Sequence, residues 1–183
     1  MSDAWYLPAE EYYIAASEAD KYPLRQGDVL GGIDTPDGRW HACQVLQPTC
    51  ELAKASVSKI QVVRVRPLTD EPDPKAQARL VAGSEERDGQ IRPAFANTFF
   101  LAPVPQEPEA PLVADFREVC VLPRKKLPAR IAAISHDCRV TFIRRYLLFR
   151  FRLHFSVEEV RAWEAARIRS DPAFSGPRPA WAL

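Results

Sequence analysis

Hydrophobic and polar positions divide the chain into a strand-like first part and a more helical remainder. Asp28 to Ile33 is apolar around two glycines, the TPDG of Thr35 to Gly38 is a strong turn, and Arg39 to Leu46 (RWHACQVL) alternates. Together these predict a β-hairpin. Pro48 breaks the pattern, and TCELAKAS predicts a loop or a single helical turn. Lys59 to Leu68 (KIQVVRVRPL) carries Ile60, Val62, Val63 and Val65, whose β-branched side chains suit a pleated surface, and predicts the best strand of the chain. Residues 69 to 97 are charged and turn-rich, which predicts an excursion with at most one short helix near Lys75 to Val81. TFFLA (Thr98 to Ala102) and LVADFREVCVL (Leu112 to Leu122) predict two further strands. The prolines of the intervening PVPQEPEAP cannot donate to a ladder, so this connection is expected to be an exposed loop.

Past Pro123 the period lengthens. LPARIAAI (Leu127 to Ile134) predicts a short helix with Pro128 in its first turn. Arg139 to Phe155 mixes two periods: Phe142, Ile143, Tyr146 and Leu147 fit a helix, whereas Phe149, Phe151, Leu153 and Phe155 alternate with basic residues. The favoured reading is a helix buried on most sides. Ser156 and Glu159 have capping-box spacing, in which serine caps a free amide and glutamate reaches back, and predict a helix through Val160, Trp163 and Ile168. Residues 5 to 19 are expected to form a short N-terminal segment whose aromatics dock on the body. SDPAFSGPRPAWAL is expected to be an irregular tail anchored by Phe174 and Trp181.

A length of 183 residues predicts a single domain, able to bury about 70% of its unfolded surface. No run of uncharged apolar residues reaches bilayer-spanning length, and the start MSDAWYLPAEEYY has neither a basic segment nor a small-residue cleavage site. Neither a membrane span nor secretion is expected, and the cytoplasm is the default compartment. Of the 17 prolines, eight fall between residues 67 and 111, where they mark strand ends and long loops rather than a linker between domains. Net charge is +1, but residues 1 to 20 hold five acids and no base, while residues 117 to 155 hold ten Lys or Arg against Glu118 and Asp137. That local excess predicts either an anionic partner or pairing with the acidic start.

Four cysteines and three histidines raise the question of metal. His41 with Cys43, His136 with Cys138, and Cys50 are the local groupings, but no CxxC pair occurs, so core or reduced thiols are expected and no metal or other cofactor. Cys50 or Cys138 with His136 or His41 would form a nucleophilic dyad only through adjacency in the fold. No GxSxG, HExxH or phosphate-binding glycine loop is present. Arg124, Lys125, Lys126, Arg144, Arg145 and Arg152 are candidate nucleic-acid contacts, because cationic side chains neutralise phosphates. The phenylalanines among them, Phe149, Phe151 and Phe155, suit a core better than a stacking surface, so only the charge points to a partner.

The stretch QGDVLGGIDTPDGRWHACQVLQPTCELAKASVSKIQVVRVRPLT (residues 26 to 69) resembles the start of the MazF/PemK group of small bacterial toxins, an SH3-like β-barrel group. The likeness lies in a GDV strand, a turn, an arginine-bearing strand and a Val/Ile-rich strand closing on Pro-hydrophobic-Thr. The chain is also similar to uncharacterised bacterial proteins in which a Ser/Gln-x-Cys-Asp/Glu corner follows the second strand, here Gln47-Pro48-Thr49-Cys50-Glu51, with later strands like TFFLAPV and VADFREV. The toxin resemblance implies RNA cleavage with the 2′-hydroxyl as internal nucleophile, Arg39 stabilising the pentavalent phosphate and Thr69 assisting by hydrogen bonding. Read without it, Arg39 is a turn-flanking surface residue and Thr69 opens the TDEPDP turn.

The expected architecture is mainly β (α+β): an SH3-like, partly open barrel over residues 25 to 122, a helical part over 123 to 170 packed on it, and a tail over 171 to 183. The expected function is a non-catalytic binding or adaptor module of a bacterial toxin-like or defence-type system, contacting a protein partner and, through the basic region, RNA or other nucleic acid. A metal-independent endoribonuclease acting through Arg39 and Thr69 is the alternative.

Overall fold

The structure, a computed structural model, describes residues 7, 9–82, 84–87, 90–105, 110–152, 159, 161 and 162. In chain order the strands are β1 (Val29–Leu30), β2 (Ile33–Thr35), β3 (Gly38–Trp40), β4 (Ala42–Val45), β5 (Lys59–Pro67), β6 (Ser84–Arg87), β7 (Gln90–Pro93), β8 (Thr98–Leu101), β9 (Leu112–Pro123) and β10 (Arg130–Ala132). The helices are α1 (Ala16–Ala19), α2 (Thr49–Leu52), α3 (Pro74–Ala82) and α4 (His136–Phe151). Six strands form an antiparallel sheet in the order β10-β1-β4-β5-β9-β8, and β2-β3 and β6-β7 are separate two-stranded ladders. The two border strands do not pair with each other, so the sheet is open and the fold is mixed α+β.

Alternation along β4 and β5 sends Ala42, Gln44, Val63 and Val65 to one face and Cys43, Val45, Ile60 and Val62 to the other. The first face receives α4, whose Cys138, Val140, Phe142 and Ile143 join Val29, Phe99, Leu112 and Ala114 in the main core. Ile33 and Trp40 of the β2-β3 hairpin, with Leu52 of α2, cover the second face. Farther along, Leu80 of α3 and Leu68 close over Val113. Each such side chain contributes about 1.5–3 kcal/mol when fully buried.

β9 is interrupted. Val63 faces Val119 while the next residue, Arg64, faces Asp115, so Phe116, Arg117 and Glu118 have no counterpart on β5. The bulge swings Phe116 into the core, where its ring lies 5.5 Å from Phe142, 5.5 Å from Tyr146 and 5.9 Å from Phe149.

The predicted hairpin, the helical turn at Thr49 and the strands over 59–67, 98–101 and 112–123 form, and the helix predicted over Arg139 to Phe155 forms as far as Phe151, with residues 153–155 outside the described residues. Ser135 caps α4 by accepting from the Cys138 amide at 3.1 Å, and Arg152 ends it in the left-handed region (φ 58°). Of the N-terminal aromatics, Tyr12 and Tyr13 dock as expected: Tyr12 is buried against Phe99 and Phe100, and the Tyr13 hydroxyl donates to the Ala102 carbonyl at 2.6 Å, while Trp5 and Tyr6 lie outside the described residues. Two predictions are overturned. The connection after β8 is not exposed throughout, because Val104 is fully buried in the main core; residues 106–109 lie outside the described residues. LPARIAAI is not a helix; Arg130 to Ala132 forms β10 against β1, because pairing with Val29 outweighs the helix propensity of the alanines. The excursion over 69 to 97 holds helix α3 as predicted and, in addition, the β6-β7 hairpin. Tail anchors Phe174 and Trp181, and the capping box at Ser156 with its helix through Trp163 and Ile168, lie outside the described residues.

Candidate functional site

Arg39 and Thr69 are both exposed and stand on different elements, Arg39 opposite Asp34 on the β2-β3 hairpin and Thr69 in the 3-10 turn that follows β5. The six candidate basic contacts separate into three groups. Arg124, Lys125 and Lys126 form an exposed 3-10 turn at the end of β9, fastened where Arg124 donates to the carbonyls of Ser58 (backbone, 2.8 Å) and Lys54 (side chain, 3.1 Å). Arg152 is exposed at the end of α4. Arg144 and Arg145 instead are only 4% and 3% exposed, so they do not belong to a solvent-facing basic surface. Arg145 donates to the Phe95 carbonyl at 2.9 Å, and burial pulls its guanidinium down to about 9.

A buried polar knot that the sequence reading did not assemble lies where β1, β10 and the start of α4 meet. Asp28 is fully buried and accepts at Oδ2 from the Arg25 amide and from Arg130 Nη1, each at 3.0 Å. Arg130 also donates to the carbonyls of Ala19, Tyr22 and Pro23, and Arg25 donates to that of Ile134. Burial raises the Asp28 carboxyl above the usual range, with Arg25 and Arg130 pulling it back. Beside it, Gln26 donates to the Leu46 carbonyl at 2.9 Å and Gln44 to that of Gly27 at 2.8 Å. Thr49 Oγ1 accepts from the Gln26 amide at 3.1 Å, which joins the QGD segment to the Cys50 corner. This knot closes carbonyls that the irregular segment over 19–28 would otherwise leave unpaired, and its chemistry is structural. The sequence signal is the QGD triplet ahead of the hairpin; its decisive partner, Arg130, lies 102 residues away.

Among the described residues the cysteines do not converge: Cys138 lies in the main core and Cys43 in the cluster on the other face of the sheet. Cys138 and Cys43 are buried, and burial raises both thiols, Cys43 to about 12, so neither is a thiolate at neutral pH. His41 is exposed in the bend between β3 and β4, while His136 opens α4, where burial and Arg139 bring it down to about 4 against the pull of Asp137. Among the described residues no three His, Cys, Asp or Glu side chains gather as a metal site would require. None of the described helices is long and apolar enough to cross a membrane.

The distal limb of β9, residues 119 to 123, has a different character. It pairs with β5 on one side, whereas β8 stops at the partner of Asp115, so among the described residues no strand lies along its outer side. Val119 and Val121 point to the same face and are 47% and 49% exposed, although Val63 directly opposite Val119 is fully buried. At the base of the limb, Arg117 holds Asp115 and Arg64 donates to Glu118 at 2.9 Å. At its far end stand Lys59 and the Arg124–Lys126 turn, all exposed.

No family model and no curated protein matches the chain.

Proposed function

We propose that the chain is a non-catalytic binding module, built on an SH3-like partly open sheet, that contacts a protein partner within a bacterial toxin-like or defence-type system. The observation that carries this reading is the exposure of Val119 and Val121 on a strand limb that has no strand along its outer side among the described residues. Exposed apolar side chains that adjoin a sheet border are a feature of contact surfaces, and proteins without partners blunt such borders. The toxin-like reaction has less support. Arg39 and Thr69 lie on separate exposed elements, and two of the six basic residues expected to hold a phosphate chain are buried.

Incubation with single-stranded and structured RNA tests the reading. Intact RNA is expected. Metal-independent cleavage that disappears in both Arg39→Ala and Thr69→Ala would establish the endoribonuclease instead.

A further inference from the structure

We infer that the distal limb of β9 receives an extended segment of a partner protein by strand addition, with apolar residues at alternate positions and acidic residues at the end lying beside Arg124–Lys126. The inference rests on the binding-module reading and specifies its partner. Strand addition needs a free border and a specificity element for alternate side chains. The limb has both. β5 holds it rigid on one side through five consecutive pairs from Lys59↔Pro123 to Val63↔Val119, while its other side is uncovered beyond the bulge among the described residues. Alternate side chains of an added strand would meet Val119 and Val121 on the exposed face.

Charge chooses the occupant. Lys59 and residues 115 to 126 together carry five bases (Lys59, Arg117, Arg124, Lys125, Lys126) against Asp115 and Glu118. Both acids are already engaged, Asp115 by Arg117 and Glu118 by Arg64. The remaining positive charge sits at the far end, in a turn pinned by the Arg124 bonds to Ser58 and Lys54. A second copy of this chain would bring two limbs of like net charge together, whereas an acidic segment is complementary. RNA would use the lysines but not the valines, since bases stack on aromatic rings rather than on aliphatic side chains.

Peptides of alternating valine and threonine that end in glutamates, and matched peptides that end in lysines, test this with the full chain. The glutamate peptide is expected to bind, with amide shifts and exchange protection at residues 117 to 126. Lys125→Glu with Lys126→Glu should weaken it about tenfold and favour the lysine peptide. Val119→Asp with Val121→Asp should abolish binding while leaving the unfolding midpoint nearly unchanged, which separates lost contact from lost fold. Equal affinity for both peptides, or protection mapping to β8 or α4, would overturn the inference. So would an RNA oligonucleotide binding the turn regardless of the valine variants, or self-association that Val119→Asp removes. RNA cleavage lost in Arg39→Ala and Thr69→Ala would defeat the module reading itself, an outcome distinct from these.

Discussion

Arg130, on a border strand of the sheet, donates to the buried carboxylate of Asp28 at 3.0 Å across 102 residues of chain. The same guanidinium holds the carbonyls of Ala19, Tyr22 and Pro23, so one side chain ties β10, β1 and the segment after α1. Arg130→Met should therefore cost about 3–5 kcal/mol in urea unfolding, because a buried carboxylate loses its counter-charge. Asp28→Asn in the same background should cost far less than it does alone, since the two residues share one interaction. Additive losses would contradict this account.

Gly27 and Gly38 both have positive φ, at 88° and 120°, yet their surroundings differ. A Cβ at Gly38 meets nothing within 4 Å, whereas one at Gly27 would stand 2.2 Å from Ile134 Cδ1. Gly38→Ala is expected to lose about 1–2 kcal/mol from backbone strain alone. Gly27→Ala should lose clearly more, and Ile134→Ala should recover part of the difference; thermal unfolding of the three variants checks the order.

His136 gives the fold a pH dependence of definite sign. Its folded value is near 4 and its unfolded value near 6.5, so between these the unfolded chain binds the extra proton. Stability should rise as pH increases from about 4 to about 6.5 and be lost on acidification through that window. Denaturant midpoints measured across it should climb more steeply for the wild type than for His136→Gln, and parallel curves would exclude the histidine as the source.

Phe116 and Val119 stand three positions apart on one strand but at opposite extremes of exposure, 2% and 47%. Phe116→Ala is expected to cost about 3–5 kcal/mol, since it empties the ring cluster with Phe142, Tyr146 and Phe149. Val119→Ala should fall within about 0.5 kcal/mol of the wild type.

What was legible in the sequence were elements whose own residues decide them. The β-branched run of β5 and the apolar Val140, Phe142 and Ile143 of α4 reflect local composition. The register shift in β9 was not legible, because LVADFREVCVL reads as one uninterrupted strand and the bulge exists only relative to β5. β10 carries a helical pattern and was not legible for a similar reason, as its conformation is imposed by Val29 and Leu30 a hundred residues earlier. Arg144 and Arg145 looked like surface charge; Arg145 is drawn inside by a carbonyl acceptor, Phe95 O, that no local pattern announces. The Asp28 knot stayed hidden since Arg25, Asp28 and Arg130 meet only after the sheet has formed.

The bulge at Phe116–Glu118 also divides β9 into two selective regimes. Before it, Leu112 to Asp115 is sheet interior, wedged between β5 and β8 and all but closed to solvent. After it, the same strand is shoreline, where Val119 and Val121 answer to water or to a partner but not to the core. Deep mutational scanning selected for folding alone should thus record tolerance at Val119 and Val121 but not at Cys120 and Leu122, which pack on the second core cluster, and a second selection for binding should restore intolerance at the two valines.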